Sequence, residues 1–294
     1  MMENNNFTIE RISGSTRLIC LLGSPVKHSL SPIMHNLSFA HEGLDFVYLA
    51  FDVKSDEIGE ALSSLKTLNF RGCNLTMPLK ISCLPYIDEL SKVSMLCRAV
   101  NTITYEDGKL YGTSTDGAGF YDSLLDHGFD VKGETVTLLG AGGAATSIAA
   151  EMAVRGVKHI AIFQRKSATF KRAEEFAERV NSETGCHVEV IDMKDDVSLK
   201  KSIAESALLL NATNVGMGSD ENSLVPENFL RKSLIVSDII YHPEKTTLLK
   251  EAENAGSPFF NGKDMLLFQG AKSFELWTGR KMPVEFIRNK GIFN

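Results

Sequence analysis

The sequence lacks the features that would point to several common classes of protein. Its 294 residues include five cysteines, an odd number, with no Cys-x-x-Cys pair. Neither a disulfide framework nor a zinc site is therefore indicated, and we expect reduced thiols and no bound metal. No apolar run approaches the roughly 18 residues that cross a bilayer. The polar start of the chain lacks the apolar core of a signal peptide.

The sequence also lacks a strong excess of charge of either sign. Lysine and arginine total 31 against 37 aspartates and glutamates, giving a net charge of −6, and there is no long basic run. This balance argues against nucleic acid as a partner. We expect a cytoplasmic protein that acts on a small molecule and binds neither nucleic acid nor membrane.

The chain does have the composition of a globular protein. It is 43% hydrophobic and 23% charged, which is enough apolar material for a sizeable core. The length favours two domains over one.

Strands alternate with helices in two stretches of the chain, which predicts an α/β fold built on mostly parallel sheets covered on both faces. A helix is expected over 54–67, and Glu106-Asp107-Gly108 is typical of a hairpin turn. Linkers near 115–127 and 262–270 would make the first domain discontinuous. The expected domains are therefore 1–115 with 264–294, and 116–263. The expected strands are 17–22, 46–51, 72–75, 99–105, 109–111, 135–139, 159–163, 188–191, 207–210 and 234–239.

A glycine-rich turn joins the strand 135–139 to the next helix. Gly140 permits a tight turn, and Gly142 lets backbone N–H groups approach a pyrophosphate at the helix N-terminus. Ala145 replaces the third glycine of the usual dinucleotide-binding spacing. The strand before the turn and the helix after it favour dinucleotide binding, while a glycine-rich loop that binds nothing is the alternative.

The residues after the following strand bear on which dinucleotide binds. A carboxylate there would accept a hydrogen bond from the ribose of NAD, but Gln164, Arg165, Lys166 and Ser167 offer none. Arginine can bind a phosphate through its planar fork. The pattern favours NADP, the alternative being that both cations are solvated surface charge.

Polar residues also follow the strands of the first stretch. Ser29 and Ser31 lie beside a helix start, where their hydroxyls could bind a carboxylate or simply cap the helix. Lys80 follows the third strand in an apolar setting that favours the neutral amine, as a proton carrier requires. Asp116 sits at a helix entry, where it could act as an N-cap. Strand ends in an open sheet tend to meet at one crevice, which favours a shared functional role.

At these residues the sequence resembles the shikimate dehydrogenase family, including its quinate/shikimate dehydrogenase branch, over nearly the whole chain. The resemblance implies a substrate-binding domain and a Rossmann-like dinucleotide-binding domain, both open-sheet α/β. The motifs that carry it are Gly23-Ser24-Pro25 through His28-Ser29-Leu30-Ser31-Pro32, Asn74-x-Thr76-x-Pro78-x-Lys80, Ala99-Val100-Asn101-Thr102, Thr115-Asp116-Gly117, Gly140-Ala141-Gly142-Gly143-Ala144, Asn211-Ala212-Thr213 with Gly216-Met217, Tyr241-x-Pro243, and Gly262 through Met265-Leu266 to Gln269-Gly270.

The resemblance also implies an activity and a set of site residues. The activity is reversible NADP-linked reduction of 3-dehydroshikimate to shikimate. Lys80 matches the acid/base residue and Asp116 its partner. Positions that match substrate-binding residues are Ser29, Ser31, Thr76, Lys80, Asn101, Asp116, Tyr241 and Gln269. Positions that match cofactor-binding residues are Gly140, Ala141, Gly142, Gly143, Ala144, Gln164, Arg165, Lys166, Ser167, Asn214, Ile239 and Gly262.

Three departures from the family pattern bear on specificity. Ser114 stands where the family often has asparagine, which would change the hydrogen bonding that orients Asp116. Gln164 replaces a usual asparagine. Ser167 stands where some quinate/shikimate members carry an aspartate suited to NAD, which favours NADP and leaves NAD open. The segments 170–185 and 277–279 are closer to the quinate/shikimate branch.

In the implied mechanism Lys80 protonates the carbonyl oxygen as hydride arrives, and closure of the two domains excludes water. One alternative is a quinate/shikimate dehydrogenase that uses NAD. Another is a non-catalytic dinucleotide- or metabolite-binding regulator, against which the presence of both Lys80 and Asp116 argues. A homodimer is compatible with the sequence.

Overall fold

The computed structural model describes residues 12–293, and these form two compact units, each built on a six-stranded sheet. The strands are β1 (Arg17–Gly23), β2 (Phe46–Asp52), β3 (Gly72–Leu75), β4 (Glu89–Leu90), β5 (Thr102–Glu106), β6 (Lys109–Thr113), β7 (Thr135–Leu139), β8 (His159–Gln164), β9 (His187–Asp192), β10 (Leu208–Asn211), β11 (Ile235–Asp238) and β12 (Phe259–Phe260). The helices are α1 (Ser31–His41), α2 (Ile58–Thr67), α3 (Leu79–Ser82), α4 (Lys92–Cys97), α5 (Asp116–Asp126), α6 (Gly143–Val154), α7 (Ala168–Glu183), α8 (Asp196–Glu205), α9 (Thr247–Ala255), α10 (Lys263–Thr278) and α11 (Val284–Asn289).

The α/β class predicted from the sequence is confirmed. One helix differs, because α2 begins at Ile58 and not at Lys54. Glu57 accepts a hydrogen bond from the Lys54 N–H at 2.9 Å, which holds the preceding residues in a turn. The predicted hairpin turn is present, with Asp107 and Gly108 both at positive φ, 51° and 78°, as a tight two-residue hairpin turn requires.

The first unit comprises 12–90, 100–112 and 273–293. Its sheet has the order β2-β1-β3-β5-β6-β4. The central strands β1, β2 and β3 are parallel, and β5 runs antiparallel to β3. An apolar cluster that includes Leu22, Leu62, Phe70 and Leu75 forms its main core.

The second unit comprises 91–99 and 113–272. Its sheet has the order β12-β11-β10-β7-β8-β9, and every neighbouring pair is parallel. Counted from β7, this is the 3-2-1-4-5-6 order of dinucleotide-binding folds, with the switch point between β7 and β10. Two apolar clusters belong to this unit, one including Ile148 and Ile160 and the other Phe163 and Leu248.

The compact units assign three segments differently from the expected domains. Residues 91–99, 113–115 and 264–272 fall in the second unit, and Val93, Leu96 and Met265 belong to its apolar cluster. The expected domain limits remain a prediction. Across residues 12–293, no helix combines the length and the apolar character needed to cross a membrane.

Candidate active site

The polar residues expected to bind substrate in the first unit follow two neighbouring parallel strands. Ser29 and Ser31 come after β1, and Thr76 and Lys80 come after β3. The Thr76 N–H donates to the Leu22 carbonyl at 2.9 Å, which joins the two strand ends. The ends of β1 and β3 therefore lie side by side at one edge of this sheet.

The two serines make different local contacts. Ser29 Oγ accepts a hydrogen bond from the Ser31 N–H at 3.2 Å. The N-cap of α1 is Leu30, which has no side-chain capping bond. The Ser29 hydroxyl therefore meets the first backbone N–H of α1, whereas Ser31 is itself the first residue of that helix.

Lys80 lies in the four-residue helix α3 and is half-buried. Its carbonyl oxygen accepts a hydrogen bond from the Val100 N–H at 2.8 Å. The flanking Leu79 side chain and Val100 are both fully buried. The backbone that carries the Lys80 amine is therefore anchored to the apolar core.

A buried polar network lies beside these residues in the first unit. Tyr48 Oη donates to Asn74 Oδ1 at 2.8 Å. Asn74 Nδ2 lies 3.1 Å from the Asn101 carbonyl oxygen, 3.0 Å from Thr102 Oγ1 and 3.1 Å from Ser273 Oγ. Thr102 Oγ1 in turn donates to Asn101 Oδ1 at 3.0 Å. Tyr48 and Ser273 were not among the residues predicted from the sequence, although each is a polar residue at an inward position of an otherwise apolar element.

His35 packs against this network without joining it. Its ring stacks on Tyr48 with centroids 4.6 Å apart and an interplanar angle of 15°. Neither ring nitrogen has a hydrogen-bond partner among residues 12–293. Complete burial lowers the pKa of His35 from 6.5 to about 3, because a charged imidazole would lack solvation. His35 is therefore neutral at physiological pH and serves as an aromatic packing group.

In the second unit, the glycine-rich turn is held by the strand next to it. Gly140 has φ +95°, and a Cβ there would lie 2.8 Å from Thr213 Cγ2, so only glycine fits. The Gly140 N–H donates to the Phe163 carbonyl at 2.8 Å, and the Ala141 N–H donates to Gln164 Oε1 at 3.1 Å. Gln164, an expected cofactor contact, thus supports the shape of the turn.

The start of α6 fits a dinucleotide pyrophosphate. A Cβ on Gly142 or Gly143 would meet no atom within 4 Å, so space is open beside the backbone there. Ala144 follows in the first turn of the helix, whose N–H groups favour an anion. Ala145, which replaces the third glycine, is fully buried in the core. Its methyl group packs without obstructing the turn.

The residues after β8 differ in their exposure and in their contacts. Arg165 is exposed, whereas Lys166 Nζ lies 3.8 Å from Asp192 Oδ2 on β9. Ser167 caps α7 by accepting from the Thr169 N–H. Since Asp192 partly offsets the charge of Lys166, Arg165 is the stronger candidate for binding a 2′-phosphate.

Asp238 at the end of β11 organises the switch-point side of the second sheet. Its carboxylate accepts from Asn211 Nδ2 at 3.1 Å, from Thr246 Oγ1 at 2.8 Å and from the Ile240 N–H at 3.0 Å. Burial nevertheless raises the pKa of Asp238. Asp238 was not among the residues predicted from the sequence, although a lone acid at the end of an apolar strand is a usable signal.

Three expected contact residues lie on the loops that this network supports. Asn214 and Tyr241 are exposed, and Ile239 donates its N–H to the Asn211 carbonyl at 3.0 Å. Gly262 approaches the Ile239 carbonyl so closely that any Cβ would collide with it. Glycine at 262 is therefore required by packing.

Asp116 and Gln269 lie on two helices of the second unit. Asp116 is the first residue of α5, whose N-cap is Thr115, so Asp116 is not itself an N-cap. It is 8% exposed. Gln269 on α10 lies against Gly119, where a Cβ would come within 2.7 Å of Gln269 Cβ. Gln269 Nε2 donates to the Leu266 carbonyl at 2.9 Å.

The fold and the glycine turn of the second unit are those of a nicotinamide-dinucleotide-dependent dehydrogenase. Family models match three parts of the chain: the shikimate dehydrogenase substrate binding domain over 21–103, shikimate / quinate 5-dehydrogenase over 123–236, and the shikimate 5'-dehydrogenase C-terminal domain over 262–290. The chain belongs to the shikimate dehydrogenase family.

Individual relatives match along nearly the whole length. A shikimate dehydrogenase (NADP(+)) of Listeria innocua is 46% identical over 285 residues, covering 96% of this chain and 98% of the relative. The structure of Listeria monocytogenes shikimate 5-dehydrogenase in complex with shikimate and NAD aligns with a TM-score of 0.93 at 46% identity, covering 95% and 98%. Quinate dehydrogenase from Corynebacterium glutamicum in complex with NAD aligns with a TM-score of 0.84 at 27% identity, covering 94% and 99%.

Proposed function

We propose that this chain catalyses the reversible NADP-linked oxidation of shikimate to 3-dehydroshikimate. The observation that carries the proposal is that its similarity to shikimate dehydrogenases (NADP(+)) runs through both units. The similarity therefore spans the unit that carries most of the proposed substrate-binding residues as well as the unit that carries the glycine-rich turn. We also propose that this activity is located in the cytoplasm.

In this proposal the first unit supplies most of the contacts to the substrate. Ser29 and Ser31 bind the carboxylate, each hydrogen bond to a charged group being worth about 1.5–3 kcal/mol. Thr76 and Asn101 bind ring hydroxyls. From the second unit, Asp116, Tyr241 and Gln269 complete the set of substrate residues.

The proton is assigned to Lys80. The chemistry that the nicotinamide supplies when bound is hydride exchange with the carbinol carbon. Lys80 in its amine form accepts the hydroxyl proton of shikimate. As the C–H bond breaks, the C–O single bond becomes the carbonyl double bond. In the reverse direction the ammonium of Lys80 returns this proton to the carbonyl oxygen. Asp116 accepts a hydrogen bond from a substrate hydroxyl.

Cofactor preference is assigned to the residues after β8. Arg165 binds the 2′-phosphate of NADP through its planar guanidinium. The turn residues 140–144 with Gln164, Lys166, Ser167, Asn214, Ile239 and Gly262 form the rest of the proposed cofactor set. The openness at Gly142 and Gly143 and the tight turn at Gly140 support this assignment.

A quinate/shikimate dehydrogenase that uses NAD is the second candidate. It is favoured by the similarity to a quinate dehydrogenase, and by NAD in the complex of the Listeria monocytogenes relative. Against it, no acidic side chain is present from Gln164 to Ser167.

The discriminating experiment measures reduced nicotinamide at 340 nm for shikimate and quinate, each with NADP and with NAD. We expect the largest kcat/KM for shikimate with NADP. A larger value for quinate with NAD would establish the second candidate. Binding of NADP without turnover of either substrate would establish a non-catalytic regulator and overturn the proposal.

A further inference from the structure

Tyr48 belongs to the buried network in the first unit, and the acceptor of its hydroxyl proton can be identified. Asn74 Nδ2 lies 3.1 Å from the backbone carbonyl oxygen of Asn101, which can only accept a hydrogen bond. The amide of Asn74 therefore presents its Oδ1 to Tyr48, at 2.8 Å from Oη. Since a tyrosine hydroxyl has one proton, that proton is donated to Asn74.

At its other end the same network orients Asn101. Thr102 Oγ1 accepts from Asn74 Nδ2 at 3.0 Å and donates to Asn101 Oδ1 at 3.0 Å. With Oδ1 committed to Thr102, the amide of Asn101 has a defined orientation in which Nδ2 is the donor end. A donor at this position suits a hydroxyl oxygen of the substrate as acceptor.

The side chains of this network are buried away from water. Tyr48 and Thr102 are fully buried and Asn74 is 6% exposed. The Tyr48 ring is stacked on His35 and also lies near the Trp277 ring, with centroids 6.1 Å apart. A fully satisfied polar network in such surroundings is strong and rigid.

We infer that Tyr48, through Asn74 and Thr102, is a positioning residue that presets the Asn101 amide for the substrate. This inference rests on the proposed function, in which Asn101 contacts shikimate. Tyr48 does not itself touch substrate. It acts on Asn101 through a chain of hydrogen bonds.

The test is Tyr48→Phe, which keeps the ring and its stacking and removes only the hydroxyl. We expect KM for shikimate to rise about tenfold, with kcat changed less than threefold and KM for NADP unchanged, because binding that is equal in ground and transition states is lost. The matched control is Tyr121→Phe, which removes a buried hydroxyl bonded to Asp130 at 2.6 Å in the second unit. Its KM for shikimate should match that of wild type.

A double-mutant cycle separates positioning from general loss of stability. If Tyr48 acts through Asn101, then Tyr48→Phe combined with Asn101→Ala raises KM for shikimate by less than the product of the two single effects. Independent multiplication of the effects would contradict the link. If Tyr48→Phe does not fold, Thr102→Val cuts the same network one bond from Asn101 and should also raise KM for shikimate.

The outcomes distinguish this inference from the proposed function. A wild type that does not turn over shikimate overturns the proposed function, and the inference with it. A wild type that turns over shikimate normally, with an unchanged KM in Tyr48→Phe or its substitute variant Thr102→Val, overturns the positioning role alone.

Discussion

Ser114 Oγ lies 2.6 Å from Ser147 Oγ on α6. The Ser147 hydroxyl also accepts a hydrogen bond from the Gly117 N–H at 3.1 Å. The two serines therefore fix the backbone on both sides of Asp116. At Ser114, where the family often has asparagine, the side chain thus bonds to α6 next to the start of α5.

Removal of the Ser147 hydroxyl should therefore affect catalysis as well as stability. We expect Ser147→Ala to lower kcat for shikimate several-fold, because Asp116 loses its fixed backbone, and to cost about 1 kcal/mol of unfolding free energy. Ser123→Ala is the matched control. It removes a buried hydroxyl from α5 that donates to the Phe120 carbonyl at 2.7 Å. A kcat reduced equally in both variants would show that the effect is one of stability alone.

Cofactor preference should depend on Arg165 more than on Lys166. We expect Arg165→Ala to raise KM for NADP much more than KM for NAD, because only NADP carries the 2′-phosphate. Lys166→Ala should have the smaller effect, since Asp192 lies 3.8 Å from its amine. The measurement is kcat/KM for both cofactors at saturating shikimate. Equal effects of Arg165→Ala on the two cofactors would make Arg165 ordinary surface charge.

A substitution in the opposite direction provides a second test of the same site. Ser167→Asp should shift preference toward NAD, because the new carboxylate can accept from ribose hydroxyls and repels the phosphate. No shift in the ratio of the two kcat/KM values would indicate that the adenosine ribose lies elsewhere.

The carboxylate-binding role of the two serines is separable from helix capping. We expect Ser29→Ala combined with Ser31→Ala to raise KM for shikimate strongly, because two hydrogen bonds to a charged group are lost, each worth about 1.5–3 kcal/mol. Thermal unfolding measured on the same variant isolates the capping contribution. Lower stability with an unchanged KM would support capping alone.

Much of this fold could be predicted from the sequence because its signals are local. The apolar strands 135–139 and 159–163, the glycines after the first of them and the turn at Asp107-Gly108 all appear at or near their expected places. The start of α2 could not be predicted, since a Glu57 side-chain contact with the Lys54 backbone decides it.

The buried hydrogen bonds near the candidate site were harder to predict from the sequence. Ser273 lies 199 positions from Asn74, yet their side chains are 3.1 Å apart. Contacts of this kind depend on tertiary packing, which no local pattern encodes. The motif residues proposed to contact ligand could be found by resemblance, whereas Tyr48 and Asp238, which belong to buried hydrogen-bond networks, required the structure.

The burial of His35 predicts loss of stability in acid. Its pKa is about 3 in the folded state and 6.5 ordinarily. Below pH 6.5 the unfolded chain therefore binds a proton that the folded chain does not, and stability falls as pH is lowered toward 3. This group should cost about 2 kcal/mol of unfolding free energy between pH 7.5 and pH 5.

Urea unfolding of wild type and His35→Phe at the two pH values checks this prediction. The variant should lose less stability than wild type on acidification, by about the amount stated. His41→Phe controls for loss of an exposed imidazole. Equal pH dependence in wild type and His35→Phe would contradict the burial argument.

The most direct test of the account is the turnover of Lys80→Ala, with shikimate binding measured on the same protein by calorimetry. We expect kcat to fall by about 10²–10⁴, the usual contribution of a positioned acid/base, while the Kd for shikimate changes only a few-fold. Lys66→Ala, which removes an amine paired with Asp88 at 3.5 Å in the same unit, should retain wild-type turnover. Near-normal kcat in Lys80→Ala would contradict the assignment of the proton to Lys80.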